Sequence, residues 1–178
     1  MADPQTPPDE RAAKTHAVTE PTSHHRMTDP QTTERPSDPL TDVAWVALGS
    51  NIGNRGRNLA RLRELLARDG VHVEAASSEV LTRPVGVTGQ GDFHNQVLQL
   101  RSPAPWPAQR WLQHTSRAEH DAGRRETYHW GPRRADVDIL LLGERGEVTI
   151  TADELSVPHP QIGNRPFISR LLEQVLPA

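Results

Sequence analysis

Cysteine is absent from this chain, which removes disulfides, thiolate metal sites and cysteine nucleophiles together. No apolar run approaches the ~18 residues of a membrane span, and the N-terminus lacks the basic-then-apolar order of a signal peptide. There is no excess of positive charge either. With 20 Lys and Arg against 23 Asp and Glu the formal charge is −3, so no basic field points to nucleic acid. These absences lead to the expectation of a soluble cytoplasmic protein with neither nucleic-acid nor membrane partner; a monomer is expected.

Residues 1–42 lack an apolar stripe. They hold seven of the 16 prolines together with many Thr, Asp and Glu. Such a segment cannot bury enough apolar surface to offset its ordering entropy, so it is expected to be a disordered tail. Ala2-Asp3-Pro4-Gln5-Thr6 and Thr28-Asp29-Pro30-Gln31-Thr32 nearly repeat one another, each directly after a Met. Either Met27 is the true start or a duplication has extended the tail.

The folded domain is expected at 43–178, long enough for one domain with a real core. Val43–Leu48 reads as a strand closed by Gly49-Ser50-Asn51. A helix follows at about 56–69, with Leu59, Leu62, Leu65 and Leu66 on one stripe. Val71–Leu81 reads as one strand, 82–92 as a Gly-rich loop, and Phe93–Arg101 as the next strand. Pro103, Pro105 and Pro107 are expected to open a helix of about 106–122, because proline is tolerated in a first turn. Its inner stripe would be Ala108, Trp111, Leu112, Thr115, Ala118 and Ala122, with Gly123 past its end. Residues 124–130 form a polar loop. Asp136 begins a strand, Val148–Ile150 is a short strand, and Phe167–Val175 is a final helix. The predicted order is β-α-β-β-α-β with C-terminal additions: an α+β, ferredoxin-like antiparallel sheet packed by helices.

The most informative run is Trp130-Gly131-Pro132-Arg133-Arg134-Ala135-Asp136-Val137-Asp138-Ile139-Leu140. Residues two apart on a strand point to the same face, so Asp136 and Asp138 leave one side while Val137, Ile139 and Leu141 leave the other for the core. Two adjacent carboxylates repel each other and are costly to desolvate unless a cation neutralises them. Oxygen-only ligands of this kind suit Mg²⁺, which takes one or two carboxylates and fills its shell with water and phosphate. Arg133, in the turn before the strand, is a fixed charge suited to phosphate oxygens. A bare Asp-x-Asp is weak evidence, since strand ends often carry solvated acids. The flanking Trp-Gly-Pro-Arg and the aliphatic run behind it raise its weight.

His129 through Leu140 closely resembles the signature of the 6-hydroxymethyl-7,8-dihydropterin pyrophosphokinase family. The resemblance covers essentially all of 43–178. Val46-Ala47-Leu48-Gly49-Ser50-Asn51 resembles its opening strand and turn, Thr82-Arg83-Pro84-Val85-Gly86 and Gln90-Gly91-Asp92-Phe93-His94-Asn95 its substrate-side loop and strand. Val157-Pro158-His159-Pro160 and Asn164-Arg165-Pro166-Phe167 resemble its C-terminal segments. The resemblance implies transfer of the pyrophosphoryl group of ATP to the hydroxymethyl group of the dihydropterin, releasing AMP, with two Mg²⁺ ions on Asp136 and Asp138. It places Arg124 and Arg133 on the phosphates as catalytic residues beside the two aspartates. Leu112, Glu119, Trp130, Arg133, Ile139, Ser156, His159 and Arg165 would bind ATP. Thr82, Val85, Phe93, Asn95, Trp130, Asp136 and Phe167 would bind the pterin, which sits between two rings; the chain has only two Phe, and both match. Ser116, Glu154 and Pro160 depart from residues common in the family on the nucleotide side. A nucleotidyltransferase also combines Gly-Ser with Asp-x-Asp, but there the motifs lie about one helix apart, and here most of the domain separates Ser50 from Asp136. A non-catalytic binding module of the same fold is the other alternative; it would be expected to have lost one of Arg124, Arg133, Asp136 or Asp138.

Because 1–42 lacks an apolar stripe, a chain shortened to begin at about Thr41 should fold and turn over substrate like the full chain. Precipitation or loss of activity on shortening would show that the tail packs on the domain.

Overall fold

A computed structural model describes residues 38–84, 89–125 and 131–177. In chain order the elements are β1 (Leu40–Ser50), α1 (Arg55–Leu66), β2 (His72–Ala76), β3 (Val80–Thr82), β4 (Phe93–Pro107) and α2 (Ala108–Asp121). They continue with β5 (Asp136–Leu142), β6 (Ile150–Thr151), β7 (Ser156–Val157), α3 (Gln161–Asn164) and α4 (Pro166–Glu173). The main sheet runs β2-β4-β1-β5, with β3 also paired to β4. Every pairing in it is antiparallel, so the mixed α/β, helix-packed antiparallel architecture stands. No described helix is long and apolar enough to cross a membrane.

The central strand β1 reads as a continuous apolar run because both its faces are covered. Ala44, Val46 and Leu48 meet Leu59, Leu62, Leu65 and Leu66 of α1 and Trp111 and Ala118 of α2. Val43 and Trp45, on the opposite face, meet Ile168, Leu171, Leu172 and Val175 at the C-terminal end of the chain. The α1 stripe is the one predicted. On α2, His114 joins the buried set where Leu112 and Ala122 are only partly covered; its Nε2 lies 2.9 Å from the Leu66 carbonyl at the end of α1.

The domain begins earlier than 43, since β1 starts at Leu40, Thr41 is buried and Trp111 Nε1 donates to its carbonyl at 3.1 Å; four further expectations are corrected. The single strand over Val71–Leu81 is two strands, because Ser77 turns inward, its hydroxyl accepts the Val97 N–H at 2.9 Å, and the pairing with β4 is interrupted. The three prolines do not open α2: all lie in β4, and the helix begins at Ala108. Pro103 and Pro105 fall where the β1–β4 register shifts between Arg101 and Trp106, a gap in the ladder that asks for no N–H donors. The short strand placed at Val148–Ile150 is instead the two-residue β6, paired with β7, and the turn of helix α3 precedes α4. The fourth correction concerns β5. Trp45 pairs with Leu141 but Val46 with Ile139, so Leu140 is an extra residue, a β-bulge that reverses the alternation beyond it. Val137, Ile139 and Leu142 therefore share the helix-covered core, while Leu140 is buried against α4 with Leu141 only partly covered beside it.

The bulge makes a prediction opposite to simple alternation. Leu140→Ala should cost about 2–5 kcal/mol, the range for a fully buried leucine, and Leu141→Ala clearly less. Urea unfolding of both variants checks this, and a larger loss at Leu141 would restore the regular strand.

Candidate active site

On the α4 side of the sheet three strands present their residues in register. Gly49 pairs with Asn95 on one side and Asp136 on the other; Ala47 pairs likewise with Val97 and Asp138. Directly paired residues share a face, so the two carboxylates stand beside central positions that carry a hydrogen or a methyl group. The small residues leave a hollow between the aspartates and Asn95. A Cβ added to Gly49 would lie 3.5 Å from Asn95 Oδ1, 3.6 Å from Asp136 Cβ and 3.7 Å from a Phe93 ring carbon, which shows how tightly these groups gather.

The two aspartates are compensated unequally. Arg133 donates to both Asp136 oxygens, at 2.8 and 2.9 Å, and Arg124 donates to Oδ1 at 3.0 Å. The Asp138 side chain makes no hydrogen bond or ion pair among the described residues. Burial raises its pKa, and the Asp136 carboxylate raises it further, against the opposing charges of His159, Arg165 and Arg133. Glu119, near the end of α2, accepts the Val137 backbone N–H at 2.7 Å and holds Arg124 in a direct ion pair. Burial pushes its pKa up to about 7 in spite of those two donors.

Two cavities meet at Asp138. One, of about 310 Å³, is lined by Thr82, Phe93, Asn95, Arg133, Asp136, Asp138, Arg165 and Phe167. The other, of about 370 Å³, is lined by Leu112, Glu119, Arg124, Asp138, Ile139, Ser156 and His159. Asp138 and Gln161 belong to both. The first cavity thus holds Thr82, Phe93, Asn95, Asp136 and Phe167 together with Arg133 and Arg165, and the second holds Leu112, Glu119, Ile139, Ser156 and His159. Val85 and Trp130 lie outside the described residues. In the first cavity Asn95 Nδ2 donates to Thr82 Oγ1 at 2.9 Å and to the Phe93 carbonyl at 3.3 Å. Its donor is thereby used inside the protein and its oxygen is left toward the hollow. On the second side His159 Nδ1 lies 3.2 Å from the Gln161 backbone nitrogen.

The donor set fits a hard divalent cation. Among the described residues no three His, Asp or Glu side chains gather to enclose a metal. Two oxygen ligands that leave the remaining shell to water and phosphate are the Mg²⁺ pattern rather than that of Zn²⁺ or Ca²⁺. The partnerless, partly buried Asp138 is the group such an ion would compensate.

Sequence reasoning passed over Gly49, Gln90 and Gln161 as lining residues. Gly49 carried a signal, a glycine closing an apolar strand opposite the acidic one. Gln90 and Gln161 carried none, since a glutamine in a loop is ordinarily solvated.

Residues 45–177 match the model of the family described as 7,8-dihydro-6-hydroxymethylpterin-pyrophosphokinase. A 2-amino-4-hydroxy-6-hydroxymethyldihydropteridine pyrophosphokinase of Bacillus subtilis is 35% identical over 138 residues, 76% of this chain and 79% of that protein. One of Mycobacterium tuberculosis is 36% identical over 129 residues, 69% of this chain and 66% of its own. The mitochondrial folate synthesis bifunctional protein of Pisum sativum is 34% identical over 131 residues, 74% of this chain but 24% of its own length.

The unequal pairing separates the two aspartates experimentally. In the folded chain the raised Asp138 pKa keeps a proton that the unfolded chain has released once pH passes the ordinary value of 3.8, so metal-free stability falls as pH rises from there. Asp138→Asn should therefore melt above the wild-type protein at pH 7 in chelator. Asp136→Asn should melt below it, losing about 1.5–3 kcal/mol with its arginine hydrogen bonds. Equal shifts in one direction would contradict the assigned pairing.

Proposed function

The chain belongs to the 7,8-dihydro-6-hydroxymethylpterin-pyrophosphokinase family, and from that premise we infer how its site works. The protein is an ATP-dependent diphosphotransferase that moves pyrophosphate from ATP to the hydroxymethyl group of the dihydropterin, a step of folate biosynthesis. The hydroxymethyl oxygen attacks the β-phosphorus, the bond from that phosphorus to the oxygen bridging the α-phosphate breaks, and AMP leaves. The hydroxyl proton passes to solvent. The observation that carries this reading is the pair of cavities meeting at Asp138, one walled by two phenylalanines and an amide, the other by aliphatic side chains and cationic groups.

In this reading the pterin lies between Phe93 and Phe167, with Asn95 Oδ1 accepting from its ring edge and Thr82 holding the amide. Val85 and Trp130 would complete the pterin side, and Trp130 also the nucleotide side. Leu112 and Ile139 wall the base, while Ser156, His159 and Arg165 approach the nucleotide and its phosphates. Transfer of this type offers a protein little covalent work, so positioning and charge neutralisation dominate. Asp136 and Asp138 would hold Mg²⁺, two ions in the full assembly, whose contribution when bound is to neutralise polyphosphate charge and acidify the attacking hydroxyl. Arg124 and Arg133, paired with Asp136 in the free protein, would turn to the phosphates once a divalent cation compensates that carboxylate. Glu119 positions Arg124 and the backbone between the aspartates. The strand order β2-β4-β1-β5 with antiparallel neighbours supports a ferredoxin-like core, and a cytoplasmic monomer whose partners are small molecules belongs to the same reading.

Incubation with ATP, Mg²⁺ and 6-hydroxymethyl-7,8-dihydropterin tests the whole. AMP is the expected nucleotide product. ADP would mean a simple kinase, and no turnover would favour a binding module of the same fold. Within the site, Asn95→Ala should weaken pterin by about 1–3 kcal/mol, the cost of an unpaired buried polar group, and leave ATP affinity unchanged. Calorimetric titration with each ligand reads this directly. Equal losses for both would assign Asn95 to the fold rather than to the pterin.

A further inference from the structure

Asn51 follows directly on β1 and is 8% exposed. Its backbone N–H donates to the Arg133 carbonyl at 3.0 Å, and its Oδ1 accepts the Arg133 N–H at 2.7 Å. One residue thus binds both polar backbone groups of Arg133, its side-chain oxygen standing in for a ladder carbonyl. Its Nδ2 donates to Gln90 Oε1 at 2.9 Å, and its carbonyl lies 3.5 Å from where a Cβ on Gly91 would stand. Segment 89–92 borders the cavity of Phe93 and Asn95, and Arg133 reaches Asp136 from the other direction.

We propose that Asn51 is a positioning residue that couples the pterin subsite to the phosphate subsite, by joining Gln90 of one segment to the Arg133 backbone of the other. This rests on the pyrophosphokinase reading above. The physical basis is that the three bonds are made together only when both segments hold their places. A ligand that orders segment 89–92 therefore lowers the ordering cost of Arg133, and a ligand that orders Arg133 does the same for the pterin side. Coupling of this kind is reciprocal by thermodynamic necessity. A residue that merely stabilised the turn after β1 would weaken both ligands alike and leave their interaction intact.

The test is calorimetry on the full chain and on Asn51→Ala, Gln90→Ala and the double variant. The ligands are 6-hydroxymethyl-7,8-dihydropterin and α,β-methylene-ATP with Mg²⁺, each titrated alone and in the presence of the other. Wild-type protein should bind the pterin at least about tenfold more tightly with the analogue present, within the usual range of site coupling. In Asn51→Ala that ratio should fall to within about twofold of unity while each ligand alone binds within about threefold of wild type, because neither subsite has lost a direct contact. Gln90→Ala should lower the ratio too, and the double variant should lower it no further than Asn51→Ala, as expected for one shared link. A wild-type ratio of one, an unchanged ratio in Asn51→Ala, or equal losses in both single-ligand affinities with the ratio preserved would each overturn the coupling. Should Asn51→Ala fail to fold, the ratio in Gln90→Ala decides the matter. AMP formation by the wild-type chain is independent of these ratios: its absence sinks the underlying reading, its presence with unchanged ratios sinks the coupling alone.

Discussion

Two carboxylates on one face of one strand, two residues apart, cannot both be buried and charged without compensation, and most of what surrounds Asp136 and Asp138 answers that constraint. Asp136 draws two guanidiniums. Those arginines need an anchor of their own, and Glu119 supplies it for Arg124 while Asn51 supplies it for the backbone of Arg133. Asp138 is left with a raised pKa and no partner among the described residues, a cost the metal-free fold bears and a divalent ion on phosphate would remove. The residues that do the work in the proposed reaction are the same ones that keep the free protein electrically tolerable.

Much of the site was legible in the sequence, for a reason that can be stated. Strand periodicity is local, so Asp136 and Asp138 could be assigned to one face from spacing alone, and the family resemblance supplied the residues expected around them. What escaped was non-local. The bulge at Leu140 depends on how β5 meets β1, and nothing in Asp-Val-Asp-Ile-Leu-Leu-Leu marks which leucine is extra. The prolines of 103–107 fit a helix start or a ladder gap equally well until the register with β1 is known. Asn51 and Gln90 carry polar amides whose value lies in what they meet 82 and 39 residues away, and no window reveals that.

The small residues of β1 and the bulge of β5 act together. Ala47 and Gly49 open the sheet's α4 face just where the aspartates stand, so a flat ligand can lie against the backbone instead of above a layer of side chains. Beyond them Leu140, two residues on from Asp138, packs on that same face with Ile168 and Leu171, and the bulge keeps Leu141 beside it while Leu142 turns to the other face. A regular strand would have placed Leu141 under the helices and Leu142 on the α4 face. One extra residue therefore marks the boundary between site and core along a strand that serves both.

The position of β5 at the sheet's edge completes the logic. An edge strand exposes backbone donors and acceptors that must find partners. Here the Leu140 carbonyl accepts the His159 N–H, the Leu142 carbonyl accepts the Val148 N–H, and the Val137 N–H goes to Glu119. The last of these lies between the two aspartates, so satisfying the edge also holds the backbone from which both carboxylates project. The free edge gives the second cavity its approach, and the open face gives the first cavity its own. In-line displacement at phosphorus requires nucleophile and leaving group to lie on opposite sides of the reacting atom. In the proposed reading one ligand fills the cavity on the face and the other the cavity at the edge, with Asp138 lining both.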